Sequence, residues 1–129
     1  MSRSSPARAA AQASDDVLLD RLQRAAFDYF LQTVNPQNGL IADSTRDGAP
    51  SSIAVVGFAL SAYPVGVERG WIERADAVER SLAVLRFFSD SDQSGSPDAT
   101  GYRGFYFHFL DLRSGARAWL SEVSLIDTG

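Results

Sequence analysis

Ser52-Ile-Ala-Val-Val-Gly-Phe-Ala-Leu-Ser-Ala-Tyr63 contains no charged side chain. A surface helix keeps its apolar residues on one stripe, whereas Ile53, Val55, Val56, Phe58 and Leu60 spread round the whole axis at helical spacing. The stretch therefore reads as a helix buried on every side, and such a helix needs several companions. Pro64 breaks or kinks it, and Gly66 and Gly70 frame a short connector.

Companions lie on both sides. Upstream, Ser14 followed by Asp15 and Asp16 predicts a capped helix start with acids next to the positive end of the dipole. Leu18, Leu19, Leu22, Ala26, Tyr29 and Phe30 form its apolar stripe, and Asn35, Pro36 and Gly39 end it. Residues 1–14 read as a flexible tail, and 15–129 as one body. Downstream, a helix begins near Glu73, with Ala75, Val78, Leu82, Leu85 and Phe87 or Phe88 inward and Arg74, Glu79, Arg80 and Arg86 in solvent. Ser89 to Gly101 is a mobile Ser, Asp and Gly-rich loop. The period then changes from 3.6 to 2: Phe105, Phe107 and Phe109 alternate with Tyr106, His108 and Leu110. Arg113, Ser114 and Gly115 supply a turn before Ala116 to Trp119 return, which predicts a short aromatic β-hairpin. Glu122 to Gly129 read as the opening turns of a fourth helix.

Composition narrows the chemistry. At 129 residues with 45% hydrophobic and 22% charged side chains, the chain is that of one ordinary globular domain and not of a disordered segment. Its net charge of -4, with acids and bases interspersed, offers no basic face to a nucleic acid. With no cysteine and one histidine, a zinc site lacks ligands, so no metal is expected. The longest apolar run is too short to span a bilayer. The first 14 residues hold no apolar core of an export signal, which leaves the location open.

Three segments carry a resemblance: Ser52 to Leu60, Val65-Gly-Val-Glu-Arg-Gly-Trp-Ile72, and Gly104-Phe-Tyr-Phe-His-Phe-Leu-Asp111 running on through Trp119 to Ser121-Glu-Val-Ser-Leu-Ile-Asp-Thr128. Together they resemble the bacterial glycoamylase-like domain, the family of endo-β-1,2-glucanases and of a domain of cyclic β-1,2-glucan synthases. The hairpin and the Trp-x-x-Glu-x-Ser-x-Ile-Asp-Thr run are its specific parts. The resemblance implies a mainly all-α fold, an (α/α)6 toroid with the aromatic hairpin inserted. Twelve helices with their connections need on the order of 300 residues or more. On that comparison this chain supplies about the first quarter, a truncated toroid not expected to be active alone.

Glycosidic bonds are commonly cleaved by two carboxyl groups, one protonated and one ionised. Glu122 is the candidate for the ionised one, because the positive end of the expected fourth helix favours its carboxylate. Read locally, it is equally a plain helix-start acid. Related β-1,2-glucanases carry an Asp three residues before the matching Glu, where this chain has Trp119. Trp119 suits a platform whose indole face packs on the C–H face of a pyranose, or else a core anchor of the hairpin. Alternation puts His108 with Tyr106 on the face opposite Phe107 and Phe109, where both would hydrogen-bond sugar hydroxyls or serve the fold. Asp127 would bind sugar, cap, or pair with an arginine. Asp43, on the loop before the buried helix, completes the candidate binding residues, and Asp111 reads as a turn-stabilising acid.

The expected function is that of part of a glycoside hydrolase-like domain acting on a β-glucan, with an oligosaccharide as partner and no cofactor. A non-catalytic glucan-binding module and a helical interaction domain are the competing readings, the latter because an uncovered apolar helix invites self-association.

Overall fold

The structure, a computed structural model, describes residues 6–129. Its elements run α1 (Pro6–Gln32), β1 (Ser51–Ser52), α2 (Ile53–Glu68), α3 (Arg74–Ser89), β2 (Gly101–Tyr102), β3 (Phe105–Phe107), β4 (Phe109–Leu110) and β5 (Val123–Ser124). It is mainly helical with small antiparallel sheets, and its contacts divide it into two units, 1–32 and 33–129.

The first unit is α1. Among the described residues it runs from Pro6 and does not begin at Ser14, so residues 6–14 of the expected tail are helical, while 1–5 lie outside the described residues. Proline suits a first helical turn, where its missing N–H has no intrahelical partner, and Ala7, Ala9, Ala10, Ala11 and Ala13 are strong helix formers. Ser14 thus sits inside the helix. Leu18, Leu19 and Leu22 of the expected stripe are exposed, and Phe27 is the buried residue.

The second unit is built on α2. Ser52 is extended (φ -97°, ψ 146°), and its hydroxyl accepts the Val55 N–H at 3.2 Å, capping the helix. Pro64 does not end α2, which runs on to Glu68; the ring withholds the bond that a residue 64 N–H would give the Leu60 carbonyl and crowds that carbonyl. Nor is the helix buried on every side. Ile53, Val56, Ala59, Tyr63 and Gly66 form one buried face, and Phe58 on the other side is 68% exposed.

α3 packs beside α2, but on a different face from the one expected. Ala77 and Val84 are buried, whereas Ala75, Val78, Leu82 and Leu85 are exposed. Gly39 explains this rotation: at φ +74° it lies against α3, and a Cβ there would stand 2.6 Å from that of Val84. Val84 joins Leu40, Ile53, Val56, Ala99, Phe107 and Leu110 in one core.

The aromatic segment pairs twice. β3 is the centre of the order β2-β3-β5, with Tyr106 opposite Ser124 and Phe107 opposite Val123. β2 and β3 are joined through Arg103 and Gly104, both at positive φ, as a two-residue hairpin requires. β4 pairs instead with β1, Ser52 opposite Phe109. The expected turn at Arg113 to Gly115 also forms, with Leu110 bridged to Arg117. Two turns therefore stand where one hairpin was expected. The Ser89–Gly101 loop is stitched down: the Asp92 carbonyl accepts the Thr100 and Gly101 N–H groups at 3.0 and 3.1 Å, and Ala99 is buried.

The expected fourth helix is absent. Residues 123–124 are β5 and 125–128 form a turn. β-branched Val123 suits a strand, and the Ser124 hydroxyl accepts the Asp127 N–H at 3.2 Å, the same i to i+3 bond with which Ser52 caps α2.

Candidate functional site

His108 is the pivot between the two sheets. Its N–H donates to the Glu122 carbonyl at 2.9 Å, and its own carbonyl accepts the Ile53 N–H, the first of α2, at 3.1 Å. The strand changes partner at this residue. The register of β3 on β5 places Tyr106 opposite Ser124 and, continued two residues on, His108 opposite Glu122. Residues opposite one another on paired strands share a face, so Phe107 and Val123 turn to the core while a polar set lines the other side.

That set is bonded together. His108 Nδ1 lies 3.0 Å from Asp127 Oδ2, with both side chains about a quarter exposed (29% and 23%). The Ser124 hydroxyl donates to the same Asp127 oxygen at 2.8 Å. The Thr128 hydroxyl accepts the Tyr106 N–H at 3.2 Å and donates to the Ser124 carbonyl at 2.6 Å. Asp127 thus pairs with the histidine and with Ser124, and not with an arginine. An imidazole held at Nδ1 by a carboxylate keeps Nε2 for another partner. Tyr106 is more committed to the fold: its hydroxyl donates to the Phe88 carbonyl at 3.3 Å and its ring lies 4.6 Å from that of Phe88.

Beside this set opens a cleft of about 440 Å³. Ile53, Val56, Leu60, Leu85 and Phe88 make its apolar walls, and Tyr106, Asp127 and Thr128 its polar edge. The Glu122 side chain is exposed, on a strand edge rather than at a helix start, so the expected helix dipole does not act on it.

Trp119 is no core anchor, being 72% exposed. Its ring lies 5.0 Å from that of Phe109, which in turn stands 4.4 Å from the His108 ring, so an aromatic chain joins the tryptophan to the histidine. Trp119 and Leu120 both hold left-handed backbone, at φ +56° and +54°. Arg117, which no motif or periodicity singled out, holds this turn: Nη2 donates to the Leu120 carbonyl at 2.9 Å and Nε to the Ser121 carbonyl. Asp43 is exposed on the loop between Ala42 and Ser51, its N–H bonded to the Pro50 carbonyl at 2.8 Å, and no bond joins it to the polar set. Asp111 is the turn acid expected, its Oδ1 accepting the Arg113 and Ser114 N–H groups at 3.0 and 2.7 Å.

Among the described residues no cluster of His, Cys, Asp and Glu is arranged to hold a metal ion, and no helix is long and apolar enough to cross a membrane.

No family model matches the chain. It is 32% identical over 104 residues to an exo-β-1,2-glucooligosaccharide sophorohydrolase (non-reducing end) of Parabacteroides distasonis, an alignment covering 79% of this chain and 13% of that protein. Among solved structures, a β-1,2-glucanase from Parabacteroides distasonis superposes with a TM-score of 0.70 at 27% identity, over 88% of this chain and 16% of the other. A Bacteroides uniformis protein of the glucoamylase type gives a TM-score of 0.72 at 26% identity, over 99% of this chain and 29% of the other. The chain thus spans well under a third of the length of each of these relatives.

Proposed function

From the premise that this chain belongs to the glycoamylase-like family of β-1,2-glucan-active proteins, we propose that it supplies one wall of a glycoside hydrolase site acting on a β-1,2-linked glucan. In the complete domain α2 and α3 are two of the helices of an (α/α)6 toroid, and the β3–β5 edge faces the sugar. The observation that carries this reading is the exposed Trp119 indole joined through Phe109 to the His108–Asp127 pair, an apolar platform next to oriented polar groups. Pyranose rings ask for that combination, C–H groups on a face and hydroxyls around the rim.

Each residue has a part. Trp119 stacks on a sugar ring. Asp127 fixes the imidazole at Nδ1, leaving Nε2 of His108 to bond a hydroxyl. Glu122, opposite His108 and open to solvent, is the ionised carboxylate that takes a proton from the attacking water, and a second carboxylate of the whole domain protonates the leaving oxygen. Asp43, unconnected to the set, is a peripheral contact at most.

In the complete protein carrying this chain, Glu122→Gln keeps volume and removes charge, so release of sugar from β-1,2-glucan should fall by a factor of about 100 or more. Turnover close to wild type would reduce Glu122 to a surface acid. A binding module without catalysis is the second reading, favoured by Trp119 standing where related glucanases carry Asp. It predicts that the unaltered complete protein retains the glucan and hydrolyses none.

A further inference from the structure

The turn that carries Trp119 is closed by the Ser121 N–H on the Ala118 carbonyl at 3.0 Å, but its backbone needs more than that one bond. Two consecutive non-glycine residues in left-handed backbone are unfavourable, because the Cβ crowds the neighbouring carbonyl, and such pairs persist only where the surroundings impose them. Trp119 and Leu120 are both in that state, and both side chains stand in solvent, so burial of either cannot be what imposes it. The constraint comes from the flanks. Downstream, the buried Ser121 is fixed to Phe109 twice, its hydroxyl accepting the Phe109 N–H and donating to the Phe109 carbonyl, both at 3.1 Å. Upstream, the Ala118 N–H donates to the same Phe109 carbonyl at 2.9 Å.

Arg117 immediately precedes the upstream anchor. Its guanidinium is planar and presents donors in a fixed fork. One prong reaches the Leu120 carbonyl and the other the Ser121 carbonyl, so it grips the two successive peptides at the downstream end of the strained pair. The guanidinium is itself seated, its central carbon 4.4 Å from the centre of the buried Phe107 ring. The backbone of Arg117 is pinned as well, its N–H donating to the Ala99 carbonyl at 3.1 Å.

We propose that Arg117 is the positioning residue of the Trp119 platform: it holds the turn in the left-handed state that aims the indole outward, and by that route sets oligosaccharide affinity without touching the sugar. This rests on the sugar-platform reading of Trp119, and the two fail separately in the following experiment. With Trp71 replaced by Phe, Trp119 is the sole indole of the 129-residue chain. Its near-ultraviolet circular dichroism then reports the contact with Phe109, and far-ultraviolet dichroism reports folding. Arg117→Lys keeps a positive charge but loses the fork, and should at least halve the Trp119 band at unchanged helix signal. Arg117→Ala should abolish it. Leu120→Gly, which adopts positive φ freely, should restore part of the band in the Arg117→Lys background.

Binding of a β-1,2-linked glucose trisaccharide is measured in parallel on the complete protein, where Arg117→Lys should weaken affinity at least about fivefold and have no further effect once Trp119→Ala is present. An Arg117→Lys chain that stays folded with an unchanged Trp119 band overturns the positioning role. If Arg117→Lys does not fold, a Leu120→Gly, Arg117→Lys chain that folds with the band still missing also overturns it. Trisaccharide affinity insensitive to Trp119→Ala, with the band still dependent on Arg117, overturns the platform reading alone.

Discussion

Asp111 shows what a single residue can be asked to do by its neighbours. The Ser114 N–H and then the Ser114 hydroxyl hold its carboxyl below the ordinary aspartate range, against a smaller opposing effect of burial, with help from the Arg113 N–H and charge. A depressed folded value means that the ionised form stabilises the fold above the ordinary value of about 4, and that this contribution disappears as pH falls through the lower folded value. The melting midpoint should therefore decline as pH falls below about 4, and Asp111→Asn, which keeps an acceptor oxygen but does not titrate, should flatten part of that decline. Identical pH slopes for both proteins would assign the acid sensitivity to other carboxylates, Asp92 first, since Ser94 holds it low in the same way. Asp111 was legible because an acid followed by Leu-Arg-Ser-Gly is a local turn signal. The His108–Asp127 pair was not, because it depends on a strand register and on a turn 19 positions further along. Arg117 left no trace in the sequence for the same reason, since what it grips are backbone carbonyls.

At the scale of elements, periodicity identified α2 and α3 and the Ser52 start, but not which face each would bury. Charge-free composition suggested that α2 is enclosed, yet burial is a property of neighbours, and only the face from Ile53 to Gly66 has them in this chain. On α3 the close approach of Gly39 to Val84, a contact between distant segments, turned the helix away from the expected stripe. Strands of two and three residues are too short for a period of two to declare their partners, so the split at His108 and the strand at Val123 were invisible. Pro64 offers a direct test at this scale. It sits exposed inside an otherwise unbroken helix, and alanine is favoured over proline in a helix interior by about 3 kcal/mol, offset by about 1 kcal/mol for the looser unfolded chain. Pro64→Ala should restore a bond to the Leu60 carbonyl and raise stability by about 1 to 2 kcal/mol, read as a rise of several degrees in melting midpoint. A lower midpoint would mean that the ring itself packs usefully against its neighbours.

For the molecule as a whole, the decisive quantity is apolar surface left in water. Phe58 is 68% exposed, Leu85 52%, Leu125 68% and Ile126 90%, and Leu85 also borders the apolar cleft beside the polar set. Each large apolar side chain kept from burial forfeits about 1.5 to 3 kcal/mol, while a domain's whole net stability is about 5 to 15 kcal/mol. Several such residues on one unit therefore represent a free energy comparable to folding itself, and contiguous patches of this kind drive association. The 129-residue chain should self-associate, with a sedimentation coefficient that rises with concentration across the micromolar range, and should bind dyes that report exposed apolar surface. Phe58→Glu with Leu85→Glu places charge on that surface without touching the core residues Ile53, Val56 and Val84, so it should shift the chain toward monomer at unchanged helix content. A wild-type monomer with a sharp two-state melt and no dye binding would show that the second unit closes its own core, and that the uncovered side chains are too scattered to act together.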